Sequence, residues 1–88
     1  MEWVWRPMHE TLGDSVQILT HALYNMYWTP DGFDFDTVSG DAPFIDDDSL
    51  DTYNAPQLSA SFHDWILHEA IHYKSNDIIV MMGADFHF

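Results

Sequence analysis

A chain of 88 residues without cysteine forms at most one small domain, burying about 60 to 65 per cent of its unfolded surface, with only a histidine and carboxylate metal site available to staple it. The net charge of −13, fifteen acidic side chains against Arg6 and Lys74, removes attraction to phosphate backbones and argues against nucleic-acid and anionic-membrane binding. An apolar content of 47 %, with four Trp, six Phe and four Tyr, excludes a disordered tail. No run approaches the roughly 20 apolar residues of a membrane span. The opening residues carry neither a basic start nor an apolar leader run, and Trp3-Val4-Trp5 reads as the middle of a domain.

In chain order, residues 2–6 suit a buried strand that Pro7 ends. Residues 14–28 are ambiguous: Val16, Leu19, Leu23 and Met26 keep helical spacing, while residues 16–20 also fit a strand. Residues 29–52 hold Pro30-Asp31-Gly32, Gly40-Asp41-Ala42-Pro43 and Asp46-Asp47-Asp48, the turn chemistry of a long loop, either functional or supported by a larger body. Over residues 54–75, Leu58, Phe62, Trp65, Ile66, Ala70 and Tyr73 recur at helical spacing. Asn54 is placed to cap, Pro56 lies in the first turn and Lys74 in the last. Residues 77–82 are continuously apolar after Asp77 and end at Gly83, as in a strand buried on both faces of a parallel sheet. The order strand, strand, long loop, helix, strand makes the class α/β, with helix and last strand as half of a βαβ unit.

Three constellations could carry chemistry. His68-Glu69-Ala70-Ile71-His72 sets two imidazoles one helical turn apart around a carboxylate, as zinc peptidases require. Only His87 follows as a third ligand, and the helical projection puts His72 at the edge of the buried face and His68 toward solvent. The aspartates at 31, 34, 36, 41 and 46–48 lack the alternation, glycine turn and bidentate carboxylate of a calcium loop, and read as a solvated loop. Asp85 stands one tight turn beyond the last expected strand, flanked by Met82, Phe86 and Phe88. Catalytic groups of parallel α/β folds sit at that end of a strand, and an apolar collar keeps a carboxyl protonated for use as a general acid. A turn aspartate is the competing reading.

Met82-Gly83-Ala84-Asp85-Phe86, preceded by His72-Tyr73-Lys74-Ser75-Asn76, by Gly32-Phe33 through Asp47 and by Tyr53-Asn54, resembles the middle of a class II α-mannosidase of glycoside hydrolase family 38, lysosomal type. The resemblance also takes in residues 1–6 and 19–27, so residues 1–88 correspond to part of the catalytic domain. It implies a fragment of a seven-stranded (β/α) barrel in a retaining, zinc-dependent hydrolase of α-mannosides on N-glycans, in a lysosomal, vacuolar or other secretory compartment. It assigns the general acid and base to Asp85 and a sugar contact to Tyr27, and favours a strand around residues 19–23.

The same resemblance puts the nucleophilic aspartate and a His-x-Asp pair before Met1 and a further histidine ligand beyond Phe88. This chain therefore holds no metal ligand; the Zn2+ of the parent enzyme would be bound elsewhere, and the partner of this chain is the remainder of the barrel. Two cysteines common in such relatives are replaced by Asp34 and Ser39. The isolated chain is expected to be inactive. Two alternatives stay open: a zinc peptidase-like site on His68, Glu69 and His72, and a non-catalytic acidic interaction module.

Overall fold

β1 (Glu2–Trp5) and β2 (Ile18–His21) form a two-stranded antiparallel sheet, with Trp3 opposite Thr20 and Val4 opposite Leu19. The β-branched and aromatic residues of both strands suit a pleated surface. A short helix α1 (His9–Leu12) and a 3-10 turn (Gly13–Ser15) connect them, entered through Met8 at a left-handed φ of 52°. Asp14 ties this connection together by reaching both Arg6, at 3.3 Å, and His9, at 3.2 Å. All three side chains are exposed, so the pairs contribute little. The computed structural model describes residues 1–36, 38 and 40–86. The expectations for Ser39, His87 and Phe88 lie outside the described residues.

The ambiguous stretch thus resolves into a 3-10 turn, a strand and, at residues 24–27, a turn. The long loop follows, and then α2 (Ala55–Ala70). The helix begins where Asn54 and Pro56 place it, but Asn54 does not cap with its side chain. Its Oδ1 accepts from the Ile45 N–H at 2.8 Å and its Nδ2 donates to the Pro43 carbonyl at 2.9 Å. The amide is occupied in pinning the loop to the helix start.

α2 also ends earlier than the spacing predicts, at Ala70, so Lys74 is not in its last turn. His72 and Tyr73 donate to the carbonyls three residues back, and tertiary contacts take over from helical ones. The His72 ring stacks on Tyr24 and the Tyr73 ring on His21. Lys74 donates from its backbone to the Glu2 carboxylate and from Nζ to the Glu2 carbonyl, joining the helix exit to β1.

Residues 77–82 form no strand among the described residues. A strand needs a neighbour for its backbone groups, and here those groups meet side chains instead: the Tyr73 hydroxyl donates to the Ile79 carbonyl at 3.0 Å. Nor is the segment buried on both faces, since Ile79, Met81 and Met82 are exposed.

The interior is small. Pro30 is fully buried, with Thr29, Phe33, Ala55 and Glu69 close to it in burial. The loop packs on α2 through rings: Phe33 meets Phe62 edge-on at 5.2 Å, Phe35 bridges Phe33 and Phe44, and Phe62 stacks with Trp65. The radius of gyration is 18.4 Å and the extents 63 × 29 × 16 Å, against about 12 Å for a compact chain of this length.

Candidate active site

One hydrogen bond organises the region around the residues singled out by sequence. The Gly83 N–H donates to Thr29 Oγ1 at 2.6 Å, across 54 positions of chain. Thr29 is buried beside Pro30, so the acceptor is fixed. Gly83 adopts a φ of 135° with open space where a Cβ would stand, a backbone geometry that glycine reaches without strain. Tyr27 lies two residues before one end of this bond and Asp85 two residues after the other. Each is within about 7 Å of chain from it. The bond itself joins the backbone at 83 to the side chain at 29.

Tyr27 is not on β2 but in the turn that follows it, where Met26 takes a left-handed φ of 54°. Its ring is half-exposed and stacks on Trp28 at 5.2 Å. Asp85 sits in a turn and is exposed, as are Met82 and Phe86. The apolar collar expected around Asp85 is therefore not built by Met82 and Phe86, whose side chains are largely exposed.

The joint forms the rim of a cleft of about 250 Å³ lined by Phe33, Asp34, Phe35, Asp36, Met82 and Gly83 as well as Thr29. Asp41 accepts the Asp34 N–H at 3.0 Å and Asp36 accepts the Val38 N–H at 3.1 Å, which hold the backbone of this strip. Farther along, Asp47 accepts the Ser49 hydroxyl and the Ser49 N–H, and these two bonds, against a small opposing effect of burial, keep its carboxyl below the ordinary value. Three of the loop's aspartates thus close turns within it.

The zinc-peptidase constellation is spread apart. His68 is exposed, the His72 ring is stacked against Tyr24 at 3.4 Å, and Glu69, which such chemistry would need beside an open metal position, is buried near Trp65 and Tyr73. Among the described residues, no three His, Asp or Glu side chains gather as a metal site, and the Asp85 region offers no donor set that fits zinc.

Two features went unread in the sequence. Gly32-Phe33-Asp34-Phe35-Asp36 alternates aromatic and acidic residues, a period-two signal of a strip with one packed face. The second is the His21 and Glu2 pair facing across the sheet, with Nδ1 and Oε1 3.4 Å apart. That separation is within ion-pair reach, yet neither ring nitrogen has a hydrogen bond of acceptable geometry, so the contact is electrostatic. Partial burial pushes the Glu2 carboxyl up, but the Lys74 N–H, the N-terminal ammonium and His21 outweigh it and hold Glu2 below its ordinary value.

No protein-family model matches the chain. Over 86 residues, 98 % of the chain, it is 37 % identical to the lysosomal α-mannosidase of Dictyostelium discoideum. Over all 88 residues it is 31 % identical to the lysosomal α-mannosidase of Cavia porcellus and 33 % identical to the α-mannosidase of Canavalia ensiformis. It covers only 8 to 9 % of the length of these relatives. By name the relatives are glycoside hydrolases. Along nearly its whole length the chain is thus similar to a short segment of these α-mannosidases.

Proposed function

We propose that the chain is the part of a retaining, family 38 α-mannosidase barrel that supplies the general acid and base, Asp85, and a sugar contact, Tyr27. The observation that carries this is the likeness to α-mannosidases along the entire chain; the Thr29 and Gly83 bond, two residues from Tyr27 and Asp85 respectively, is compatible with it. The substrate is an α-mannoside and the compartment lysosomal, the reading that the names of several relatives support. The rest of the barrel covers Trp3, Val4, Leu19, Ile79 and Phe86, which are exposed here.

In the assembled site Asp85 donates its proton to the glycosidic oxygen as the bond to the sugar breaks. As a carboxylate it then takes a proton from the water that opens the glycosyl-enzyme intermediate. The nucleophile is a second carboxylate outside this chain, and retention sets the two about 5 to 5.5 Å apart. Tyr27 holds the sugar against the rim. Any zinc of the parent enzyme would be held by residues outside this chain and would supply a Lewis acid there.

The test is a chimera in which this chain replaces the matching segment of the Dictyostelium enzyme. Hydrolysis of α-mannosides should be retained, and Asp85→Asn should lower it by about 100-fold to 10,000-fold, while the isolated 88-residue chain shows no turnover with or without added zinc. Full activity of the Asp85→Asn chimera, or robust turnover by the chain alone that depends on Asp85, would refute the reading.

A further inference from the structure

Glu69 is a carboxylate that the acid and base chemistry does not use. It keeps only 7 % of its surface exposed, and among the described residues no donor hydrogen-bonds its side chain and no Lys, Arg or His nitrogen pairs with it. It stands in the last turn of α2, where the partial negative charge of the helix end adds to its own. A carboxylate removed from water in that position needs a donor or a counter-charge. The chain has two basic side chains of the Lys and Arg type, and both are engaged elsewhere, Arg6 with Asp14 and Gln17 and Lys74 with the Glu2 carbonyl. Glu69 lines a pocket of about 20 Å³ together with Tyr24, Trp28, Trp65 and Tyr73, enough room for one water-sized group. Stacks on His72, Tyr27, Phe62 and His21 hold those rings in place. Tyr24 and Trp28 are half-exposed and set the mouth of the pocket at the surface.

We propose that this pocket is a site for a single ammonium group, either the free ion or the tip of a lysine side chain from outside this chain, with Glu69 as its counter-charge and the four aromatic residues as its walls. An ammonium nitrogen is the size of a water molecule, donates to carboxylate oxygens and is attracted by aromatic π-systems. A quaternary ammonium carries the charge but has no N–H and exceeds the room. A divalent metal needs further oxygen or nitrogen ligands that rings do not supply. An anion is repelled by Glu69 and the helix end, and an apolar group leaves the carboxylate unpaired. The site does not involve Asp85, so its test is independent of the α-mannosidase reading.

The experiment is a titration of the 88-residue chain with ammonium chloride and with methylammonium chloride, each against sodium chloride at equal ionic strength, read from the Trp indole N–H and Glu side-chain carboxyl NMR signals. At least one of the two small ammonium cations should shift Trp28, Trp65 and Glu69 saturably, with a dissociation constant on the order of 10 mM. Saturation by methylammonium assigns the site to a lysine tip, and saturation by ammonium alone to the free ion. Glu69→Gln, which keeps the shape and loses the charge, should weaken binding about tenfold. Tyr24→Leu, at the mouth, should weaken it about two- to fivefold, and it tests the site even if Glu69→Gln disturbs the helix. Tetramethylammonium should leave the same signals unmoved. No saturable shift with either small ammonium cation, equal shifts with sodium, saturation by tetramethylammonium, or unchanged binding in either variant would each overturn the site.

Discussion

The molecule has two regions of opposite character. From Thr29 to Ala70, the loop and α2 hold each other through the Phe33, Phe35, Phe44, Phe62 and Trp65 rings and the Asn54 amide. The sheet and residues 77–86 instead expose Trp3, Val4, Trp5, Ile18, Leu19, Ile79, Met82 and Phe86, with Leu19 at 78 % and Phe86 at 84 % of full exposure. Apolar surface of that extent is rare on free-standing proteins and marks surface meant for cover. The first region is held by ring contacts and the Asn54 amide, whereas the second leaves most of its large apolar side chains exposed. The candidate active site lies at the seam, where Gly83 of the second bonds to Thr29 of the first.

That contrast can be broken most readily from the packed side. Phe62→Ala removes the ring that touches both Phe33 and Trp65 and should cost about 2 to 3 kcal/mol, read as a lower denaturant midpoint of the 88-residue chain. A loss near zero would mean that the loop is not held by α2. Asn54→Ala should cost about 1 to 2 kcal/mol, because both bonds to residues 43 and 45 are lost. Faster hydrogen exchange at the Ile45 amide would report it, and Asn54→Asp, which keeps the acceptor and loses the donor, should fall between.

The exposed side should answer differently. Leu19→Ser should change the stability of the chain by no more than about 0.5 kcal/mol, yet cost the chimera about 2 to 3 kcal/mol, where the leucine would be covered. Equal effects in both would erase the distinction between the regions. The smallest effect belongs to Glu2, held below its ordinary value of 4.5 against an upward push from burial. A depressed folded value contributes stability that is present above the ordinary carboxyl range and lost as pH falls through the folded value. Glu2→Gln should therefore flatten only the acid limb of a denaturation midpoint measured against pH, leaving the slope near neutrality unchanged.

Much of the packed region is legible in the sequence because its signals are local. The spacing of Leu58, Phe62 and Trp65 and the place of Asn54 and Pro56 give α2, and Trp3-Val4-Trp5 gives β1. What fails is non-local. The apolar run at 77–82 reads as a strand, but a ladder requires a partner that the described residues do not provide. The helix stops at Ala70 because His72, Tyr73 and Lys74 find Tyr24, His21 and Glu2, contacts that no helical period reveals. The Asn54 side chain turns to the loop for the same reason. At the candidate site, Asp85 stands out through its motif, whereas the Thr29 and Gly83 bond nearby spans 54 residues and is visible only in the fold.

The role of Asp85 is tested most directly by the first, glycosylation step in the chimera, followed as a burst on two substrates. An alkoxide leaving group needs its proton in the transition state and an activated aryl group scarcely does, so removing a general acid separates them. Steady-state rates would mix in deglycosylation, where the same residue serves as base. Asp85→Asn should lower the burst rate on a natural mannoside by about 100-fold or more and leave that on an activated aryl mannoside nearly intact. Equal losses on both substrates would show that Asp85 positions the sugar or supports the turn, and that the acid lies elsewhere.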